Sequence, residues 1–190
     1  MIHRTTLTPT KPEPLTGWLP KQSRYAGGTG TPDLVMAGGF RLDDPGGAVG
    51  IEFLIVADAA AREPVVRLVP MGCRGAPLEG ASGEALIGTA GHGVLGTRWI
   101  YDGVHDPVVT AQLRALLRGE ATPQHRSRSH TPDPAVTVRG AGPDDGLEVR
   151  LNRVLRPLEA AERPSRGVVA GWVRPDGSAA RGVLAALAPR

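Results

Sequence analysis

Residues 93–119 read GVLGTRWIYDGVHDPVVTAQLRALLRG, and this stretch spells a strand, a tight loop and a helix. The helix signals agree with one another. Asp106 can cap the first free amides, Pro107 stands where a missing N–H costs nothing, and Gly119 can close the far end. Val109, Leu113, Leu116 and Leu117 fall on one helical face, and Arg114 and Arg118 lie near the negative end of the helix dipole. In the strand ahead of it, Leu95, Thr97, Trp99 and Tyr101 alternate to one side. The whole stretch reads as scaffold, with Asp106, Pro107 and Leu113 as structural residues.

Upstream, residues 49–57 form the strongest strand. Ile51, Phe53 and Ile55 line one face and Glu52, Leu54 and Val56 the other. A strand apolar on both faces belongs in the middle of a sheet. Glu52 is its one carboxylate and suits an exposed face or a salt bridge. Residues 34–43, with a bulge at Gly38-Gly39, and residues 65–71 flank it, so the three make an antiparallel meander. Residues 12–20 form a short helix whose apolar face is Leu15, Trp18 and Leu19, with Trp18 a structural anchor. Residues 2–7 fit a short strand, 27–32 a glycine-rich loop, 58–64 a surface turn and 72–83 a loop. Residues 85–87 are too short to assign.

Downstream, residues 119–134, GEATPQHRSRSHTPDP, hold no apolar side chain larger than alanine. They read as a linker or mobile loop, with a small anion-binding patch of His125, Arg126, Arg128 and His130 as the functional alternative. The expected division is therefore 1–118, 119–134 and 135–190, the last a small β-rich subdomain. In it, 135–139 is a short strand. Residues 167–173 and 178–187 form a hairpin about Pro175-Asp176-Gly177, with Trp172 in the core. Residues 147–158 fit a strand or a helix, and neighbouring strands favour one long strand.

The chain has 190 residues, a net charge of +3 and 4% aromatic residues. Its sequence pI near 9.6 suggests nucleic acid. Against that, nearly all the positive charge is arginine in a chain rich in Ala, Gly and Pro, and no stretch interleaves it with aromatics as a base-stacking platform would. No apolar run approaches the ~20 residues a spanning helix needs, and the N-terminus lacks a secretory apolar core. Cys73 is the single cysteine, which excludes an internal disulfide and reads as a buried thiol. A cytoplasmic protein is expected, without membrane or nucleic-acid partners.

Residues 91–96, GHGVLG, match G-x-G-x-x-G literally, but a strand follows where the dinucleotide fingerprint needs a helix. The loop at 27–32 has no GK[ST] after it, so it lacks the parts of a P-loop. Asp102, His105 and Asp106 cluster within five residues and could ligate a metal or move protons. Asp106 is already a helix cap, however, and Asp102-Gly103 is an ordinary turn pair. No nucleophile elbow, H-E-x-x-H or C-x-x-C pair is present. No catalytic residue, metal site or cofactor is assigned.

Trp18-Leu19-Pro20 leading to Arg24-Tyr25-Ala26-Gly27 resembles the start of actinobacterial maltokinases and related aminosugar kinases. Their N-terminal cap opens with a W-L-P-x-Q-R-W-Y-A-G pattern. The run 100–107, IYDGVHDP, followed by a helix, is similar to their downstream D-A-L-Y-D-P-like segment. With its HRTTLTPTK and AGGFRLDDP stretches, the chain resembles stand-alone maltokinase N-terminal cap-like proteins, some of which are called 1,4-α-glucan branching proteins. Branching chemistry uses a (β/α)₈ barrel of ~250 residues, for which 190 residues leave no room.

The resemblance implies a cystatin-like cap: a curved antiparallel sheet with one or two helices, within an α+β chain. Ser23-Arg24 replaces the family's Arg-Trp. Residues 151–155, LNRVL, are similar to the first helix of the kinase core, but Arg150 stands where that helix places an ion-pairing Glu. The lysine, catalytic-loop aspartate and metal-binding aspartate of phosphoryl transfer do not follow. The expected function is a non-catalytic module that binds or regulates a sugar kinase or glucan-metabolism enzyme, or self-associates. The alternative is a small-ligand or sugar-phosphate binding protein or enzyme. Its pocket would lie between the halves, lined by His92, Arg98, Tyr101, Asp102 and His105.

Overall fold

A computed structural model of the chain describes residues 7–8, 12–22, 25, 31–60, 64–128, 130–159 and 164–189. In chain order these form β1 (Leu7–Thr8), α1 (Pro12–Trp18), β2 (Leu34–Leu42), β3 (Val49–Asp58), β4 (Val65–Arg74), β5 (Leu86–His92), β6 (Gly96–Asp102) and α2 (Pro107–Arg118). Then follow β7 (Gln124–His125), β8 (Val136–Arg139), β9 (Leu147–Leu151), β10 (Val154–Leu155), β11 (Gly167–Val173) and β12 (Ala179–Pro189). The expected strand over 2–7 (Leu7 apart), most of the 27–32 loop and positions 23–24 and 26–27 of the motif lie outside the described residues.

The meander holds: β2, β3 and β4 are consecutive antiparallel neighbours. They sit inside a larger sheet of order β1-β5-β6-β4-β3-β2-β7, with β10 added along β4. A second sheet has the order β8-β11-β12-β9. This is an α+β fold of antiparallel sheets with two short helices.

Strand alternation divides the large sheet into two faces. Leu54 and Val56 of β3, with Val69, Met71 and Ile100, pack against Leu15, Trp18 and Leu19 of the α1 region. Ile51, Phe53, Ile55 and Ala57 point the other way. There they meet Val109, Leu113, Leu116 and Leu117 of α2 and Val168, Trp172 and Leu184 of the small sheet. Thus the small sheet and the large sheet share one core. The bulge in β2 falls between Met36 and Gly38. Gly39 beside it takes φ +130, and a Cβ there would collide with the Phe53 carbonyl, so β2 can cross β3 closely only with glycine.

Several local readings change. Residues 147–158 are neither one long strand nor a helix. β9 joins the small sheet and β10 the large one, and the chain switches sheets at Asn152-Arg153. Asn152 donates from its backbone to Leu184 O and from Nδ2 to Val183 O, which ends β9 against β12. The similarity of 151–155 to a kinase helix is therefore local wording only. The segment 119–134 contains β7, which pairs with Phe40 and Arg41 of β2, and Arg126 Nη1 donates to Gly38 O at 3.2 Å. β5 is a full strand where only 85–87 were considered. Asp58, placed in a surface turn by sequence, is 2% exposed. Cys73 is half-buried, not buried. In β6 Ile100 and Tyr101 are both buried, while Leu95, just ahead of the strand, is exposed. No described helix is long and apolar enough to cross a membrane.

Candidate functional site

β4 carries the site. Its sequence Val65-Val66-Arg67-Leu68-Val69 is apolar except for one arginine. Alternation sends Val66 and Leu68 to the α2 face and Arg67 and Val69 to the α1 face. One edge of β4 has two short partners. β6 pairs with Met71–Arg74, and β10 pairs with Val66 and Arg67. The stretch between them opens into a cavity of about 400 Å³ whose walls come from both halves of the chain. Trp18, Leu19, Gln22 and Tyr25 close one side, Asp102, Val104 and His105 another, and Leu151 and Arg153 a third.

Two charged arrangements meet here. Arg153 Nη2 binds Asp102 Oδ1 at 2.7 Å, while Leu68 N donates to Arg153 O at 3.0 Å. Asp102 also caps the following turn, accepting from Val104 N at 3.5 Å. This ion pair fastens the end of β6 to the start of β10. Because Arg153 is 24% exposed and Asp102 5%, the pair is partly desolvated.

The second arrangement is Arg67 under Tyr25. Arg67 is only 4% exposed. Its guanidinium lies 4.8 Å from the Tyr25 ring centroid, a cation–π distance. Tyr25 OH donates to Asp58 Oδ2 at 3.0 Å, and Asp58 Oδ1 accepts from the amides of Asp33 and Ala60. Arg67 Nε and Nη2 are buried with no hydrogen-bond partner among the described residues. Burial pushes the Arg67 pKa below its ordinary value, against the opposing pull of Tyr25 and Asp58. Burial and the hydrogen bond to Asp58 raise that of Tyr25.

Of the five residues proposed from sequence, Asp102 and His105 line this cavity and the other three stand elsewhere. His92 Nδ1 accepts from Val94 N and Leu95 N and shapes the β5–β6 turn. Arg98 Nη2 donates to Cys73 O at 2.9 Å. Tyr101 OH accepts from Leu78 N at 3.0 Å and is 5% exposed. Sequence reasoning missed Arg67, Arg153 and Tyr25 as site residues. A lone arginine inside an apolar strand was the available signal for Arg67.

Trp18 is 6% exposed and donates from Nε1 to Glu84 O at 2.9 Å. Asp106 is fully buried, caps α2 by accepting from Val108 N and Val109 N, and takes a two-pronged bond from Arg74. Pro107 is the first residue of α2, and Leu113 packs in the shared core. Gly72 permits this, since a Cβ there would strike the Asp106 carboxylate.

Residues 18–106 match the family model of the maltokinase N-terminal cap domain. This stretch, just under half of the 190 residues, is similar to that cap domain. The match begins at Trp18 in α1 and ends at Asp106, the cap of α2, so it spans the large sheet from β2 to β6. It covers the cap side of the cavity, including Arg67 and Asp102, whereas Leu151 and Arg153 come from beyond it. No curated protein matches the chain. The match fits a maltokinase-related, glucan-metabolism context.

Proposed function

We propose that the chain is a non-catalytic, cytoplasmic cap-like module that acts by binding a partner. The partner class is a sugar kinase or another enzyme of glucan metabolism, or a second copy of the chain. The observation that carries this reading is the cap-domain match over 18–106. The residues after it support the reading, because they add strands to the cap's own sheet (β7 on β2, β10 on β4) and pack a second sheet on its face. Phosphoryl transfer needs a metal and lysine clamp on the phosphates and a positioned base, and these 190 residues carry none of those motifs. The purified chain with ATP and either maltose or glucosamine is therefore expected to release no ADP above the protein-free blank. Turnover that survives repurification and disappears on changing one residue of this chain would overturn the reading.

A second reading has its own observation. The seam cavity, with buried Arg67 in its wall, supports binding of a small ligand between the two halves. Such binding is compatible with a module that has no catalysis of its own.

A further inference from the structure

The side-on edge of an arginine, Nε with Nη2, is a pair of parallel donors that matches the two oxygens of a carboxylate or phosphate. Arg74 shows that edge in use on a carboxylate. Arg74 Nε and Nη2 each reach an oxygen of Asp106 at 2.7 Å. Arg67 lines the seam, and both donors of its edge are buried and without a hydrogen-bond partner among the described residues. Buried polar groups are almost always hydrogen-bonded, and leaving a charged donor unmatched is costly. The neighbouring carboxylates are engaged elsewhere: Asp58 with Tyr25 and two amides, Asp102 with Arg153 and Val104. The cavity is large enough for a small molecule and mixes apolar walls with a few polar groups, as ligand sites do.

We propose that the seam cavity binds a small molecule of about monosaccharide size through an oxyanion, carboxylate or phosphate, gripped by the Nε/Nη2 edge of Arg67. This rests on the second reading above. Arg153 and His105 stand on the walls the ligand body would meet. Tyr25 is the cover: its ring lies on the guanidinium, and it must swing aside for the oxyanion to reach the edge. The cap-like half supplies Arg67 and the second half supplies Arg153 and Leu151, so both halves are needed to complete the site.

Calorimetric titration and thermal melts at matched ionic strength test this. The probes are glucose 6-phosphate, glucuronate, inorganic phosphate and plain glucose. At about tenfold over its dissociation constant, a bound probe raises the unfolding midpoint by about 3–6 °C. Glucose 6-phosphate or glucuronate is expected to bind, and whichever binds tells phosphate from carboxylate. Arg67→Met is expected to weaken binding at least about tenfold, the worth of a charge-assisted pair. It should melt no lower than wild type without probe, because an unmatched buried charge gives way to an apolar chain. Arg67→Lys keeps the charge but loses the two-donor edge. It is expected to bind more weakly than wild type, and it carries the test if Arg67→Met does not fold. Tyr25→Ala is expected to bind at least as tightly as wild type. No binding by any anion, or binding undiminished in both Arg67 variants, overturns the proposal. Plain glucose binding as well as its 6-phosphate also overturns it, while leaving the seam as a ligand site.

Discussion

Replacing Asp106 with alanine is expected to cost about 3–5 kcal/mol of stability, lowering the unfolding midpoint by roughly 6–20 °C. A helix cap alone would account for about 1 kcal/mol. The larger figure follows from Arg74. The Asp106 carboxylate is fully buried and holds Arg74 Nε and Nη2 at 2.7 Å each, with Val108 N at 2.9 Å. Removing it strands a cation that is only 20% exposed. Asp106→Asn keeps an acceptor for the helix amides but loses the ion pair, so it should recover only part of the loss. Arg74→Met in the Asp106→Ala background should recover more, because it removes the stranded charge. The pH dependence has a definite sign. Burial pushes the Asp106 pKa up, but the bond from Arg74 and the amides of Val108 and Val109 outweigh it, and the net shift is down. A depressed carboxyl pKa stabilises the fold above the unfolded value near ~3.9 and loses that contribution as pH falls through the folded value. Wild type should therefore lose stability on acidification below about pH 4 more steeply than Asp106→Asn. Melts of the four proteins between neutral and acid pH measure both effects. An Asp106→Ala variant that melts like the wild type would show that neither the cap nor the pair matters.

What could be read from the sequence was what depends on near neighbours. Asp106, Pro107 and Gly119 mark α2 because capping is local, and Gly119 does take φ +82. β3 declared both of its faces through strict alternation, so its central position followed. What could not be read depends on contacts far apart in the chain. Nothing marks Arg74, in a Gly-Cys-Arg-Gly stretch, as the partner of a residue 32 positions on. Residues 85–87 are too short to mark β5, whose Gly88 leaves room for Pro14 of α1, 3.0 Å from where a Cβ would be. The break at Asn152-Arg153 is likewise imposed from outside, by Leu184 on one side and Asp102 on the other. At the candidate site, Asp102 and His105 stood out because turn-borne polar residues attract notice. Arg67 did not, because a strand pattern with one polar position still reads as a strand.

Trp172→Ala is expected to cost about 3–5 kcal/mol and, more tellingly, to destabilise both halves together. Trp172 is 4% exposed and sits on β11, but its neighbours span the chain. Gly38 of β2 lies under its backbone, and Gly182 of β12 leaves room for its ring, where a Cβ would come within 2.6 Å. The cluster it joins includes Phe40, Ile51 and Phe53 of the cap sheet, Leu113 and Leu116 of α2, and Leu184 of the small sheet. Emptying that volume removes contacts from every layer at once. Trp172→Phe should cost much less, since it keeps most of the volume and deletes an Nε1–H that is buried without a partner among the described residues. The readout is tryptophan fluorescence, which once Trp172 is replaced comes from Trp18 of α1 and Trp99 of β6 in the large sheet. In urea, this fluorescence and the far-ultraviolet circular dichroism should trace one transition in wild type. Both should shift together, to lower denaturant, in Trp172→Ala. A nick at exposed Arg128 should then leave two fragments that co-elute, held by the common core. If the fluorescence transition of Trp18 and Trp99 stays where it was while the circular dichroism moves, the small sheet is an independent unit and the shared core contributes little to its stability.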